Sequence, residues 1–394
     1  MSVADDEPWP SAQGHTRLAG RVEIVDGPFD ETALTATYDG VDIDDIEGKV
    51  SYAEVRDAWY VICTTDELGR SKPLSRKLHR QPLVVFRGPG GKPGVLLDRC
   101  AHRNVPLSLG RVVDCQVECP YHGWRYDTEG DCRKIPGLLG KTELPRRAVP
   151  QYPCREQDGY VWIWGNPDAE PIGEPYRPPK LDEPGYHTAR KMVTAKGTLH
   201  AVAENALDVP HTAFLHKGLF RGTGTTNEIK AVVTRDETSV TCEYIGEPRP
   251  EGLVGRVLSP SGGVVTHFDR FILPSIAQVE YGIGKENHII ITSFCTPEEP
   301  FFTRLYAVVT WRMRFPAPVV RAVLDPVATS IFAQDAKMLD IQTKHVTRFG
   351  GERYTSTEID LLGPQIWRLI KRAAEGRGAK PDDEVYRREV RFEA

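Results

Sequence analysis

Short apolar runs separated by Gly, Pro and Asp turns dominate the first half of the chain. Trp59-Tyr60-Val61-Ile62-Cys63, Leu83-Val84-Val85-Phe86 and Gly94-Val95-Leu96-Leu97 are apolar and partly β-branched, the pattern of buried strands. Turn signals at 87–91 and 127–130 separate strand pairs, and the run Tyr160-Val161-Trp162-Ile163-Trp164 closes the series. Strands this short and this closely spaced predict a small all-β domain over residues 51–167. Residues 168–184 are rich in Pro, Gly and Glu and predict a linker. From 185 to 394 the pattern changes. A strand near 190–196 leads into a helix over about 199–214, then β-rich segments follow at 229–245, 264–271, 277–282, 288–295 and 305–315. The C-terminal part reads as helical, at 317–346 and at 360–374, where Leu361, Leu362, Ile366, Trp367 and Ile370 recur at helical spacing. The second domain is therefore α+β. Residues 1–50 form an arm whose β-type pieces, at 21–25 and 34–38, are bounded by Asp26-Gly27 and Asp39-Gly40.

Composition narrows the class. The chain has 394 residues, enough for two domains, and its 40% hydrophobic and 27% charged residues exclude wholesale disorder. No apolar stretch is long enough to span a bilayer, and the acidic start lacks the apolar core of a secretory signal. Eight cysteines are too few for a disulfide scaffold, so the expectation is a reducing cytoplasm with free thiols, Cys115 and Cys132 included. The net charge of -5 disfavours nucleic acid. That charge is uneven: residues 1–50 hold twelve acids against three Lys and Arg, whereas 70–150 hold sixteen Lys and Arg against seven acids. The basic segment could dock an acidic protein, because complementary potentials speed encounter.

Within that basic segment lies a ligand pattern. Cys100-Ala101-His102 is followed, after sixteen residues, by Cys119-Pro120-Tyr121-His122. Each loop offers one thiolate and one imidazole. Four such ligands suit a two-iron, two-sulfide cluster with Cys on one iron and His on the other. Cys2His2 also suits zinc, but structural zinc sites usually pair like ligands at short spacing.

A second pattern follows the linker. In Glu204-Asn205-Ala206-Leu207-Asp208-Val209-Pro210-His211-Thr212-Ala213-Phe214-Leu215-His216, a continuous helix would set Glu204, Asp208 and His211 on one face. The same helix would hold His211 and His216 about 140° apart, too far round to grip one ion. Pro210 disturbs the helix and can end it just afterwards, letting His216 swing back. Two His and one carboxylate make a facial triad with open positions for oxygen on Fe(II). Asp208, Asp335 and Asp340 are the carboxylates available. His200 lies one helical turn before Glu204 and could support the site from behind, or be a capped or exposed residue, whereas His15, His79, His187, His267 and His288 carry no motif. Phe214, Phe268, Phe271, Trp311 and Met338 are candidates to line an apolar pocket.

The run from Asp98 to Tyr126, with Asn104-Val105-Pro106-Leu107-Ser108 after the first pair and Gly123-Trp124 after the second, resembles the cluster loops of the Rieske family. Asn205-x2-Asp208-x2-His211-x4-His216 resembles the mononuclear-iron motif of Rieske non-haem iron oxygenases, and Gln334-Asp335 with Met338-Leu339 is similar to their third-ligand helix. The resemblance covers roughly residues 51–374. It implies an N-terminal all-β Rieske [2Fe-2S] domain and an α+β helix-grip (START-like) catalytic domain. It assigns Cys100, His102, Cys119 and His122 to the cluster and His211, His216 and Asp335 to Fe(II). Asp208, with Asn205 beside it, becomes a catalytic bridge that hydrogen-bonds His122 of a neighbouring subunit in a head-to-tail homotrimer. The implied activity is that of a terminal oxygenase adding oxygen from O2 to an apolar aromatic or polycyclic small molecule, with dealkylation and desaturation open as alternatives. No flavin or nicotinamide fingerprint is visible, so NAD(P)H must act through a separate flavin reductase, ferredoxin, or both.

Overall fold

The computed structural model describes residues 37–38, 41–42, 46, 48–216, 228–247, 265–284, 287–376 and 386–393. The expected strand at 21–25 lies outside them. The short pair β1 (Thr37–Tyr38) and β2 (Val41–Asp42) flanks the Asp39-Gly40 turn. The apolar runs then form three small antiparallel sheets. The first contains β3 (Trp59–Thr64), β11 (Cys154–Gln157) and β12 (Tyr160–Trp164); the second β4 (Leu74–Leu78), β5 (Gln81–Arg87) and β6 (Pro93–Leu97); the third β7 (Arg111–Val113), β8 (Gln116–Glu118), β9 (Arg125–Tyr126) and β10 (Cys132–Lys134). Val84, Phe86, Leu96, Val117 and Tyr126 bury one face against Cys100 and Cys119, so the core of this domain fixes the bases of both ligand loops.

The second domain is one eight-stranded antiparallel sheet in the order β13-β19-β18-β17-β16-β15-β14-β20. Its strands are β13 (His187–Ala195), β14 (Glu228–Arg235), β15 (Ser239–Ile245), β16 (Val265–Ile272), β17 (Ile276–Ile283), β18 (Asn287–Glu299), β19 (Phe302–Arg312) and β20 (Tyr386–Glu393). Helices α1 (Leu199–Leu207), α2 (Thr212–Leu215), α3 (Ala317–Arg348) and α4 (Gly363–Ala374) accompany it. The expected all-β plus α+β arrangement is what the chain adopts. β20 lies beyond the two expected C-terminal helices: Val390 and Phe392 alternate inward from a strand paired with β14. Four Arg and Glu neighbours on the solvent side masked that two-residue period.

The two faces of the large sheet do different work. On one, Phe271 and Ala277 pack with α1 and α4 residues Leu199, Leu207, Ile366 and Ile370. On the other, Ile276, Phe294, Tyr306 and Val308 pack against Trp59, Val61 and Trp162 of the first domain. Tyr306 donates its hydroxyl to Ile62 O at 2.8 Å and Thr296 donates to Val61 O at 2.5 Å. Each large side chain buried there contributes roughly 1.5–3 kcal/mol, so the domains of one chain are held by core, not by a tether alone.

Candidate metal centres

The two cluster loops have the same backbone despite unequal spacing. In the first, Cys100 N–H donates to Val105 O at 3.0 Å and Asn104 N–H to Cys100 O at 2.9 Å; in the second, Cys119 N–H donates to Trp124 O at 2.8 Å and Gly123 N–H to Cys119 O at 3.0 Å. Each turn closes on a left-handed residue, Asn104 (φ 63) and Gly123 (φ 69), the residue types that tolerate that conformation. Arg99 fastens the Asn104 side chain at 2.8 Å. A Cβ on Gly123 would stand 3.0 Å from Pro136.

These loops bury the two cysteines and leave the histidines at the surface: Cys100 and Cys119 are 1% and 2% exposed, whereas His122 is open to solvent. The rings of His102 and His122 lie 4.5 Å apart, and Trp124 stacks flat on His102. The Tyr126 hydroxyl sits 3.3 Å from Cys100 Sγ. Burial pushes the Cys119 thiol up, against the pull of the Tyr121 amide. His102 Nδ1 is shielded from solvent without a hydrogen-bond partner. Two buried sulfurs facing two paired imidazoles, one with an orphaned nitrogen, fit the donor set of a Rieske cluster. Cys115 is exposed, Cys132 is buried, and all eight cysteines are free.

The His-His segment is built by a broken helix. Thr198 caps α1, accepting from Ala201 N–H at 3.1 Å. The helix ends at Leu207, and Asp208 takes an extended backbone (φ -93, ψ 105). The break falls before Pro210, not after it, so the continuous helix expected to 214 is corrected. Proline bars the preceding residue from the helical region and supplies no N–H. Three residues of turn and the single turn of α2 then carry His216 back. His211 Nε2 and His216 Nε2 converge to 3.3 Å, and Asp335 Oδ1 of α3 lies 3.1 Å from the latter and 3.7 Å from the former. Among the described residues this is the one group of three metal-type side chains whose ligand atoms all fall within 4.8 Å. Asp340, the competing carboxylate, points away to Lys344 at 2.8 Å and Lys196 at 3.6 Å.

The surroundings fit a cation. Burial alone would lower His211, but the Asp208 and Asp335 carboxylates outweigh it and raise it to about 9. Burial would raise Asp335, but the two imidazoles hold it below the usual carboxylate range. Protons thus stand where a metal ion would, and ion binding must displace them. Asp208 Oδ2 lies 3.3 Å from His211 Nδ1 and accepts from its backbone N–H at 3.3 Å. Asn205 is half-buried on the last turn of α1.

In the sequence Gln334 stands out only as the neighbour of Asp335, yet its Oε1 is 2.8 Å from His216 Nδ1. Accepting Nδ1–H fixes the tautomer that leaves Nε2 free to bind. Gln334→Leu keeps the volume and removes the acceptor. Iron affinity at this site should fall about ten- to hundredfold, measured by chelator competition, with cluster absorbance unchanged.

The other histidines sit elsewhere. His267 is buried between Glu247 (2.6 Å) and Asp269 (3.0 Å), with Tyr244 and Tyr281 stacked on its faces. Phe271 and Trp311 are core, while Phe214 and Met338 are exposed. A cavity of about 1060 Å3 lined by Tyr52, Trp59, Trp164 and Trp367 contains none of His211, His216 and Asp335.

Residues 58–153 match the family described as Rieske [2Fe-2S] domain, and 196–376 match the vanillate O-demethylase oxygenase C-terminal domain. The chain belongs to the Rieske non-haem iron oxygenases. Members of this family carry the [2Fe-2S] cluster and a mononuclear non-haem iron, and the two donor sets above suit them. The vanillate O-demethylase oxygenase subunit of Pseudomonas sp. (strain HR199 / DSM 7063) is 26% identical over 351 residues, 82% of this chain and 96% of that one. Chlorophyllide a oxygenase of Arabidopsis thaliana is 36% identical over 168 residues, 42% of this chain but 30% of that protein, so the chain spans under a third of that oxygenase's length. Dicamba monooxygenase bound to dicamba superposes with a TM-score of 0.70 at 22% identity, covering 82% of this chain and 98% of that one. No described helix of this Rieske oxygenase is long and apolar enough to cross a membrane.

Proposed function

We propose that Cys100, His102, Cys119 and His122 hold the cluster, that His211, His216 and Asp335 hold ferrous iron, and that the protein hydroxylates a small apolar aromatic or polycyclic molecule. The observation that carries this reading is the convergence of the His211, His216 and Asp335 ligand atoms. Bound there, the cluster supplies single electrons and the iron an open position at which dioxygen is activated. One oxygen atom enters a C–H bond and the other leaves as water. The two electrons come from NAD(P)H through a separate flavin reductase or ferredoxin. Gln334 holds His216, Asp208 holds His211, and the sheet and helices exclude water from the substrate. A homotrimer in which Asp208 also meets a neighbour's His122 would join the two centres.

O- or N-demethylation is the second reading. It is favoured by the relative that matches over most of its length, a vanillate O-demethylase subunit. Hydroxylating a methyl group on oxygen or nitrogen gives an unstable product that sheds formaldehyde, so the same residues serve both outcomes. A Rieske electron carrier without oxygenase activity would not need the His-His-Asp group. Metal analysis separates the two: three irons per chain for the oxygenase, two for the carrier. Oxygen uptake against a panel of methoxylated, N-methylated and polycyclic aromatics then separates the substrates, with formaldehyde marking demethylation. A cytoplasmic setting suits the free thiols.

Arg99, Arg103, Lys134, Lys141 and Arg146 are exposed on the cluster domain, a surface for an acidic ferredoxin or reductase. Screening is strong once the Debye length falls to about 3 Å near 1 M salt. Cluster reduction by the partner should therefore slow steeply between low salt and that range in stopped flow. A rate indifferent to salt discards the basic surface as the dock.

A further inference from the structure

We propose that Glu352, Ser51, His200 and Glu204 form a proton relay that delivers one proton beside Asp208 as an electron crosses to the iron. The inference rests on the oxygenase reading above. Ser51 Oγ lies 2.8 Å from Glu352 Oε1 and 3.0 Å from His200 Nδ1. His200 Nε2 lies 2.8 Å from Gly363 O and 4.0 Å from Glu204 Oε2. His200 and Ser51 are buried, 6% and 5% exposed, and Glu352 adjoins the exposed Tyr354. Glu204 precedes Asp208 by one helical turn.

The hydrogen count makes this chain a relay. Gly363 O can only accept, so His200 Nε2 carries a proton. Ser51 has one hydroxyl proton and three neighbours: Glu352, His200 and the Thr198 hydroxyl at 3.3 Å, which can donate to it. With Glu352 protonated, Glu352 donates to Ser51 and Ser51 donates to a neutral His200. With Glu352 ionised, Ser51 donates to Glu352, and a second proton on His200 Nδ1 donates to Ser51 in its turn. The two arrangements differ by one proton moved through Ser51. The Glu352 O–H breaks as Ser51 gains that proton, and Ser51's own proton passes to Nδ1. The Nε2–H proton then leaves Gly363 O, crosses the 4.0 Å to Glu204 and forms its O–H; solvent recharges Glu352, and a turn of the His200 ring returns its remaining proton to the Gly363 side. One positive charge enters for each electron that arrives, and no other reactant is consumed.

The groups facing Glu204 support its role as the terminus. His200 shares its helix, Asp208 follows the end of that helix, Glu352 and Tyr354 come from the loop after α3, and Asp360 from the segment before α4. Burial first, then the charges of Asp208, Asp360 and Glu352, push Glu204 up to about 7. Burial also pushes Glu352 up and His200 down. Gly363 leaves the space: a Cβ there would collide with the Glu204 carboxylate. In the isolated chain the Glu204 side chain is 35% exposed. In the homotrimer proposed above, a neighbouring cluster domain docked at Asp208 would cover that end and leave the buried chain as its route to solvent.

The test is reoxidation of the reduced cluster in the full holoenzyme on mixing with O2 and a substrate, from pH 6 to 8, in H2O and D2O. Every variant is first checked for cluster absorbance and three irons per chain. In the wild type the rate should fall as pH rises through about 7, where Glu204 loses its resting proton and the relay must supply it, and above that pH it should be slower in D2O. Glu204→Gln should flatten the pH profile, and Ser51→Ala should abolish the D2O effect; each should slow reoxidation about tenfold, the equivalent of one pKa unit. Infrared spectra should show a protonated carboxyl band that titrates near neutrality in wild type and Ser51→Ala and is missing from Glu204→Gln. Wild-type pH and isotope behaviour in both variants overturns the relay while leaving the oxygenase intact. A wild-type cluster that O2 and substrate never reoxidise overturns the oxygenase reading and the relay with it.

Discussion

Asp335→Ala should strip one iron in three from the protein and with it all measurable substrate oxidation, while the visible spectrum of the cluster stays as in the wild type. The reason lies in charge. His211 Nε2, His216 Nε2 and Asp335 Oδ1 converge within 3.7 Å, and Asp335 is the anion of the three. Without it, two imidazoles at 3.3 Å face each other with Asp208 alone to offset a doubly charged ion. Two neutral nitrogens do not make the three-ligand face that ferrous iron takes in such sites. The loss should exceed the about ten- to hundredfold set for Gln334→Leu, because a ligand goes and not its support. Asp340→Ala is the control. Its carboxylate already serves Lys344 and Lys196, so iron content and turnover should be unaltered. Metal analysis beside oxygen uptake decides the matter: three irons per chain in Asp335→Ala, or two in Asp340→Ala, would remove Asp335 from the site.

Legibility in the sequence followed the range of the interaction. The cluster loops could be read because both lie within single turns, where Asn104 and Gly123 answer a local backbone demand. The His pair could be read as a need for a break, because Pro210 has a local effect on the chain. Its position could not: whether a helix stops before or after a proline depends on what caps it, and here Asp208 does so while touching His211. The third carboxylate was open between Asp335 and Asp340 on residue type alone, since both ride the same helix. The contact that separates them is tertiary, made when α3 lies beside the turn after α1. Gln334 was invisible as a support for the same reason. β20 was missed because charges outnumber apolar positions there, and the pairing with β14 that orders it joins residues far apart in sequence.

Asp208→Ala should leave both kinds of centre filled and cut the passage of electrons between them. Asp208 donates nothing to the convergent group itself: its carboxylate sits on the far ring nitrogen of His211, 3.3 Å from Nδ1. Removing it costs His211 an orienting partner, which weakens iron binding about ten- to hundredfold at most and is overcome by iron in excess. The electron path is another matter. The cluster histidines are at the surface of one domain, with His122 exposed, and the Asp208 side chain is 32% exposed. A carboxylate that accepts from His211 on one oxygen has its second oxygen for a histidine arriving from a neighbouring subunit. Alanine offers neither oxygen. Reoxidation of the reduced cluster by O2 and substrate should then slow by at least about a hundredfold, more than loss of the ligand support alone explains, with three irons still present. Asp208→Asn should recover part of the rate, since its amide oxygen can still accept one of the two hydrogen bonds. Product formed in a single turnover at the wild-type yield and rate by Asp208→Ala would show that electrons reach the iron by another route, and the bridging role would be lost while His211, His216 and Asp335 kept theirs.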